Sequence, residues 1–419
     1  MIKVFSILIF SLFAIVGCHT FKPAPISSIN FGVRSVSHEN NLVKITVAVP
    51  DDKESEMLFD VPLYDYDIQP VWIQIENKGE NGIWFLPLDI DSNYFSPFEA
   101  SYKFNSFFDT NYNEEINNYF KTEEVKYFIP AKSTVSGYVY TNLDKGYKYV
   151  PVTLIADKEY NRYIFTIDVG EISPDYKSVA FKSLYSQSEI KNLSLEQLRS
   201  FIKNFHSNST DSSGKVDGDP INLVFIGNSD EILAAFKACG WNETEIIDFN
   251  TSLKTVFSFL FNTEYKYMPI SPLYVYGREQ DAGLQKDRDT VNARNHIRLW
   301  LTPMKYDGKP ILIGQISRDV GVKMTTKLPF VTHKIDPDID GARNYLLQDL
   351  LRTQTISAFG FIEGKGFTSN EKPMYNLGGD PYYTDGHILV VIFSEKPVSL
   401  KDVHILWREK LSKTSLINN

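Results

Sequence analysis

The sequence predicts two folded domains of different class: an all-β sandwich, immunoglobulin-like, then an α+β domain of ferredoxin-like order with insertions. Three observations predict this. Alternation with a period of two fills residues 31–169, with few helix starts. A helix-capping box and a stretch rich in Ser, Asp and Gly interrupt that pattern between 194 and 220. Beyond 220, apolar strands alternate with helical runs. A chain of 419 residues is long enough for two or three cores, and 43% apolar content with 23% charge excludes a disordered polymer. The net charge of −9 argues against a nucleic-acid partner, and two cysteines cannot build a disulfide framework.

The first residues read Met1-Ile2-Lys3 and then run uncharged from 4 to 16, a secretory signal too short to span a bilayer. The ending Ile15-Val16-Gly17-Cys18 resembles a bacterial lipobox, in which the cysteine is acylated and becomes the mature N-terminus. His19, in place of Asp, favours the outer membrane by the same resemblance. Residues 1–17 are then the signal peptide, 18–30 a tether, and the membrane partner is reached through acyl chains such as palmitate on Cys18. Cys239 remains, at the end of an apolar helical run before Gly240, and reads as a buried small hydrophobe.

Within the sandwich (31–172), Val71, Ile73 and Ile75 alternate with Trp72, Gln74 and Glu76, and Asn77 to Gly82 supplies a turn. Strands follow at 83–88, 135–141, 149–156 and 162–169, and 111–125 is a polar insertion, one helix or a long loop. The connector (173–219) holds the capping box Ser194-Leu195-Glu196-Gln197, with Leu195, Leu198, Ile202 and Phe205 on one helix face. Residues 207–220 then read as a flexible linker or an exposed loop. In the second domain (220–395), a strand at 221–226 precedes a helix to Cys239, and a second helix is expected at 253–261. A hairpin across Lys305-Tyr306-Asp307-Gly308 joins strands 296–301 and 311–318; a helix from Pro337 to 353 and strands 356–362 and 387–393 complete the order, with 396–419 as a tail. Helices would cover one sheet face and leave the other free for binding.

Arginine is the anomaly. Of 11, seven lie between 278 and 352: Arg278, Arg288, Arg294, Arg298, Arg318, Arg343 and Arg352. Their planar forks suit carboxylate and phosphate groups, although local acids such as Asp281, Asp287, Asp289 and Asp319 are alternative partners. On the strand 295–301, His296, Arg298 and Trp300 share one side, an anion or ring platform. Asp336-x-Asp338-x-Asp340-Gly341 matches half of a calcium loop, but position twelve is Leu347 where a bidentate Glu is required. Pro337 fits the first helical position after an Asp336 cap instead. No hydrolase elbow, zinc-protease or Walker signature is present; Gly364-Lys365 lacks the following Ser or Thr.

Residues 218–227, Gly240-Trp241, Tyr276-Gly277-Arg278-Glu279-Gln280-Asp281, Arg294-Asn295-His296-Ile297-Arg298-Leu299-Trp300, Ser317-Arg318-Asp319-Val320-Gly321 and Thr332-His333-Lys334-Ile335-Asp336-Pro337 carry a resemblance to the LssY C-terminal-like domain family. It covers about 195–395. Some members are fused to phosphatidic-acid-phosphatase-like membrane domains, so the resemblance implies envelope lipids or phosphates. The expected function is a non-catalytic binding or accessory role for a lipid-anchored envelope protein. It would recognise a phosphorylated lipid or glycan without a cofactor, through Arg278, Asp281, His296, Arg298, Arg318, Asp319, His333 and Arg343. The alternative is a phosphoester hydrolase using His296, His333 and Asp336, with Asp338 and Asp340 completing a metal or water site.

Overall fold

A computed structural model describes residues 20–156, 159–246, 266–288, 290–324 and 331–407. The lipobox with Cys18, the helix expected at 253–261 and Asp289 lie outside these residues. The chain divides into two units, Met1–Val169 and Gly170–Asn419.

The first unit contains strands β1 (Ser35–Glu39), β2 (Val43–Ala48), β3 (Ile68–Asn77), β4 (Ile83–Phe85), β5 (Phe128–Ile129), β6 (Ser133–Asn142), β7 (Tyr147–Ala156) and β8 (Glu159–Asp168). They form two antiparallel sheets, β1-β2-β3-β6 and β5-β4-β7-β8. The alternation read from the sequence sets the packing: Val71, Ile73 and Ile75 of β3 are fully buried, while Trp72, Gln74 and Glu76 face outward. Together with Val150 and Val152 of β7 and Phe165 of β8 they make one core between the sheets. The Asn77 side chain holds the following turn, donating to the Asn81 carbonyl (2.8 Å) and accepting from the Gly79 amide (2.9 Å).

Three helices build a second, aromatic core beside this sandwich: α1 (Asp52–Phe59), α2 (Pro97–Tyr102) and α3 (Thr110–Glu123). The polar insertion is thus α3, which buries Tyr112, Ile116 and Phe120. The sequence reading missed α1 although Asp51 and Glu54 form a complete capping box; eight residues are too few for apolar periodicity to stand out. At Gly137 in β6 an added Cβ would lie 2.5 Å from the Val125 amide nitrogen and 2.6 Å from the Glu123 carbonyl oxygen. Gly137→Ala is expected to destabilise this unit by about 1–3 kcal/mol, read as a lower urea midpoint.

In the second unit, α4 (Leu195–Asn204) begins on the expected box: Gln197 donates to Ser194 Oγ and returns its side chain to the Ser194 amide. Its Leu198 and Ile202 are buried, whereas Leu195 is exposed. The expected linker at 207–220 is instead a strand pair, Asn208–Thr210 with Asp217–Pro220. Asn208 donates to the Gly218 carbonyl (3.0 Å) and Tyr382 Oη (2.7 Å), and Ser209 to the Asp219 carbonyl. Between the two strands, residues 212–216 form an exposed loop, so the polar composition serves both solvation at the tip and bonding between the strands.

The main sheet uses β9 (Leu223–Ile226), β10 (Ala282–Arg288), β11 (Thr290–Tyr306), β12 (Lys309–Met324), β13 (Val331–Ile335), β14 (Ile356–Glu363), β15 (His387–Phe393) and β16 (His404–Leu406). Its order is β10-β11-β12-β9-β15-β14-β16, with β13 on the far end of β12. β9 pairs antiparallel with β12 and parallel with β15. This departs from the ferredoxin-like expectation: β15 is inserted between the first strand and β14, because β14 and β15 pair as an antiparallel unit before β15 meets β9. The β11–β12 hairpin turns at Asp307 and Gly308, both at positive φ, as the Asp-Gly pair requires. Residues read as the start of a tail add β16 alongside β14.

Two helices, α5 (Ser229–Ala238) and α6 (Ile339–Arg352), cover one face over Ile297, Leu299 and Ile316. The expectation of a free second face is corrected. Leu198 and Ile202 of α4, with Leu273 and Val275, bury Trp300, Ile313 and Val390 there. No helix among the described residues is long and apolar enough to cross a membrane. Cys239 is buried, its Sγ 3.3 Å from the Asp349 carbonyl, and burial pushes its thiol up to about 12.

Candidate functional site

The pleat sorts β11 as its sequence predicts, but the side bearing His296 and Arg298 is closed. Arg298 donates through Nε to the Ser271 carbonyl (3.0 Å) and through Nη1 to Gln315 Oε1 (3.0 Å); Asp219 lies 3.8 Å away. His296 Nδ1 stands 3.2 Å from Asp319 Oδ2, and Arg294 pairs with Asp287 at 2.8 Å. Burial pushes the Asp319 carboxyl well above its ordinary range and raises Asp219 as well, while the same desolvation lowers Arg298. The arrangement is an internal charge network under the sheet. Arg318 sits on the opposite, helix-covered face, its Nε donating to Asn295 and its guanidinium 5.7 Å from the Tyr345 ring centroid. Arg298 and Arg318 therefore do not form one anion-recognising face: the period-two pleat separates them.

Arg278 and Asp281 are also held internally. Arg278 grips Asp281 with two bonds (3.0 and 2.8 Å) and donates to the Leu301 carbonyl and Tyr185 Oη, while Asp281 accepts from the Leu301 amide. The backbone of His333 lies in β13 opposite Val322, five residues along β12 from Ser317, the partner of His296. That separation is roughly 16 Å of strand; the His333 side chain is outside the described residues.

The aspartate triplet is engaged in local structure. Asp338, not Asp336, caps α6 through the Gly341 amide (3.3 Å), because Asp336 turns back to accept from the Asp338 amide (3.0 Å). Asp340 accepts from Thr384 Oγ1 and the Asp385 amide, both at 2.7 Å, and lies 3.1 Å from Arg343. Of the carboxylates in the hydrolase set, Asp338 caps α6, Asp340 braces it against Thr384 and Arg343, and Asp336 holds the turn before it. Among the described residues no group of three or more His, Cys, Asp and Glu is arranged to hold a metal.

Arg343 leads to a place the sequence reading did not single out. Fully buried, it binds Asp385 with both arms (2.9 and 3.0 Å) and donates to the His387 carbonyl. Asp385 in turn accepts from the His387 amide (2.8 Å) and lies 3.3 Å from its Nδ1. Burial pushes the Asp385 carboxyl up, but His387 and Arg343 outweigh it and hold the group well below the usual range. The same carboxylate raises the His387 imidazole above its ordinary 6.5.

His387 opens β15 and lines a cleft with His206, Ser207, Asn222, Gly364, Lys365, Gly366 and Thr384; none of the lining residues is an Asp or Glu. The cleft is shallow: it has room of about 10 Å³, enough for one water, and opens to solvent. Lys365 is exposed there, its Nζ 2.9 Å from the Asn204 carbonyl at the end of α4. Lys365 and His387, with no carboxylate in the lining, suit an oxyanion resting at the mouth of the cleft rather than enclosed in it. The signals for it were Gly364-Lys365-Gly366 and Asp385-Gly386-His387, each a turn beside an apolar strand.

Fold and site define a β-rich protein of two units with a small cationic cleft in the second. Residues 199–388, within the second unit, match the family model for the LssY C-terminus. No curated protein matches the chain. Among solved structures, a candidate lipoprotein of Bacillus subtilis subsp. subtilis str. 168 (ycdA) aligns over 75% of this chain and 98% of that one. Identity is 10% and the TM-score 0.19, at which the two folds do not superpose as wholes.

Proposed function

We propose that this is a lipid-anchored envelope protein, held at Cys18 in the outer membrane, whose LssY C-terminus domain binds the anionic group of a phosphate-bearing ligand. The observation that carries the binding reading is the cleft of Lys365, His206 and His387, which has no carboxylate in its lining. What supports the anchor is the complete signal pattern ending in Gly17-Cys18. Binding is assigned to this cleft rather than to Arg298 and Arg318, whose guanidinium groups are already engaged.

Calorimetric titration with inorganic phosphate tests the site. Lys365→Ala and His387→Gln are each expected to weaken binding roughly tenfold, the loss of one charge-assisted bond. Sulfate, whose charge is constant across neutral pH, serves for the pH dependence. His387 is raised by Asp385, so its cation persists above 6.5 and sulfate affinity falls as pH rises through that raised value. Unchanged affinity in both variants rejects the reading.

A further inference from the structure

We propose that the Phe107-Phe108 tip of the first unit inserts into the interfacial layer of the membrane that holds the chain, beside the anchor; this rests on the lipid anchor at Cys18. Phe107 is 91% exposed and Phe108 74%, and Tyr102 and Phe98 of α2 are exposed at 62% and 58%. Single exposed apolar residues are ordinary, but four aromatic rings within eleven residues form a patch that asks for a partner.

The tip is held out by its own hydrogen bonds. Asn113 of α3 accepts from the Ser106 amide (2.6 Å) and donates to the Ser106 carbonyl (2.8 Å), while the Phe108 amide donates to Ser106 Oγ. Asp109 then caps α3 through the Tyr112 amide. The two rings meet edge to face at 4.9 Å, and Phe98 and Tyr102 pair at 5.5 Å.

The occupant follows from where the N-terminal arm runs. Phe21 packs on Tyr112 and Tyr119 of α3, with centroids 6.2 and 5.3 Å apart. The Lys22 amide donates to Asp60 and the Ala24 amide to the Met57 carbonyl, which fixes the arm on α1 and α3. Cys18 is three residues before Phe21, a reach of about 10 Å. Tyr112 lies in the first turn of α3, and Phe108 directly precedes the Asp109 cap of that helix. Acyl chains on Cys18 start within that reach of Phe21, on the α3 side of the unit, and a surface pinned there by lipid meets the bilayer first. Aromatic rings favour the headgroup–acyl boundary. The stretch 98–115 carries Glu99, Asp109, Glu114 and Glu115 against Lys103 as its single cation, so zwitterionic phosphatidylethanolamine suits it better than an anionic lipid.

The test uses the acylated full chain in phosphatidylethanolamine vesicles whose acyl chains carry bromine, a fluorescence quencher. The added fluorescence of Phe107→Trp is expected to show about a twofold loss from contact with the acyl boundary. That of Leu42→Trp, exposed beside Lys78 at the other end of β3 from Ile68, stays unquenched. In the mature chain made without acyl groups, Phe107→Ser is expected to weaken vesicle partitioning about tenfold. Equal quenching at 107 and 42 in a chain that still floats with the vesicles overturns the insertion and leaves the anchor standing. A wild-type chain that does not float removes the anchor, and the insertion with it.

Discussion

Replacing Arg343 by alanine is expected to destabilise the second unit by about 3–5 kcal/mol, because it leaves two carboxylates in a buried site without their cation. The guanidinium is 1% exposed, binds Asp385 with both arms, touches Asp340 at 3.1 Å and stacks 5.2 Å over Phe361. Arg343→Lys is expected to recover little, since a single ammonium cannot serve both oxygens of Asp385 and the His387 carbonyl. Arg343→Met combined with Asp385→Asn recovers more, because both the charge and its partner are removed. The measurement is the denaturant midpoint of the full chain. The same variants separate stability from binding: a folded Arg343→Lys chain that binds sulfate with a lowered pH midpoint would show Asp385 released from its position behind His387.

The strands were legible where burial is one-sided. In β3 and β11 the alternation of aliphatic and polar residues survives into the structure because each side chain has one fixed face. The capping box at Ser194 was legible because two side chains and two amides close locally. What was not legible depended on partners far along the chain. Arg343 reads as a binding residue in sequence, and only the return of Asp385, 42 residues later, turns it into a brace. Asp219 and Asn208 look like linker residues until β11 and Tyr382 arrive beside them. The arginine concentration marked a real feature of the second unit, but its meaning was internal: buried cations matched to buried acids. The cleft escaped notice because its residues come from four separated stretches, around 206, 222, 365 and 386.

Arg298 supplies the second large effect, and its pH dependence distinguishes a charge network from ordinary packing. Arg298→Met is expected to cost about 3–5 kcal/mol at pH 8, since Asp219 and Asp319 then lose their shared cation in a buried site. Both carboxyls are raised in the folded chain above the unfolded value of about 3.9. Between that value and the raised one, the folded state holds protons that the unfolded state has released. Their contribution to stability is therefore complete below the unfolded value and is lost as pH rises through the folded one. Arg298→Met should consequently cost less towards acid pH than towards alkaline pH, because protonated carboxyls need no cation. Asp319→Asn, a neutral isostere, should gain on the wild type as pH rises above the unfolded carboxyl value, because it has no proton to lose. Urea midpoints of the three chains at pH 5, 6.5 and 8 read this directly. Parallel curves for wild type and Asp319→Asn would mean that Asp319 is ionised throughout, and that Arg298 pairs with it as a fixed salt bridge rather than as one member of a titrating set.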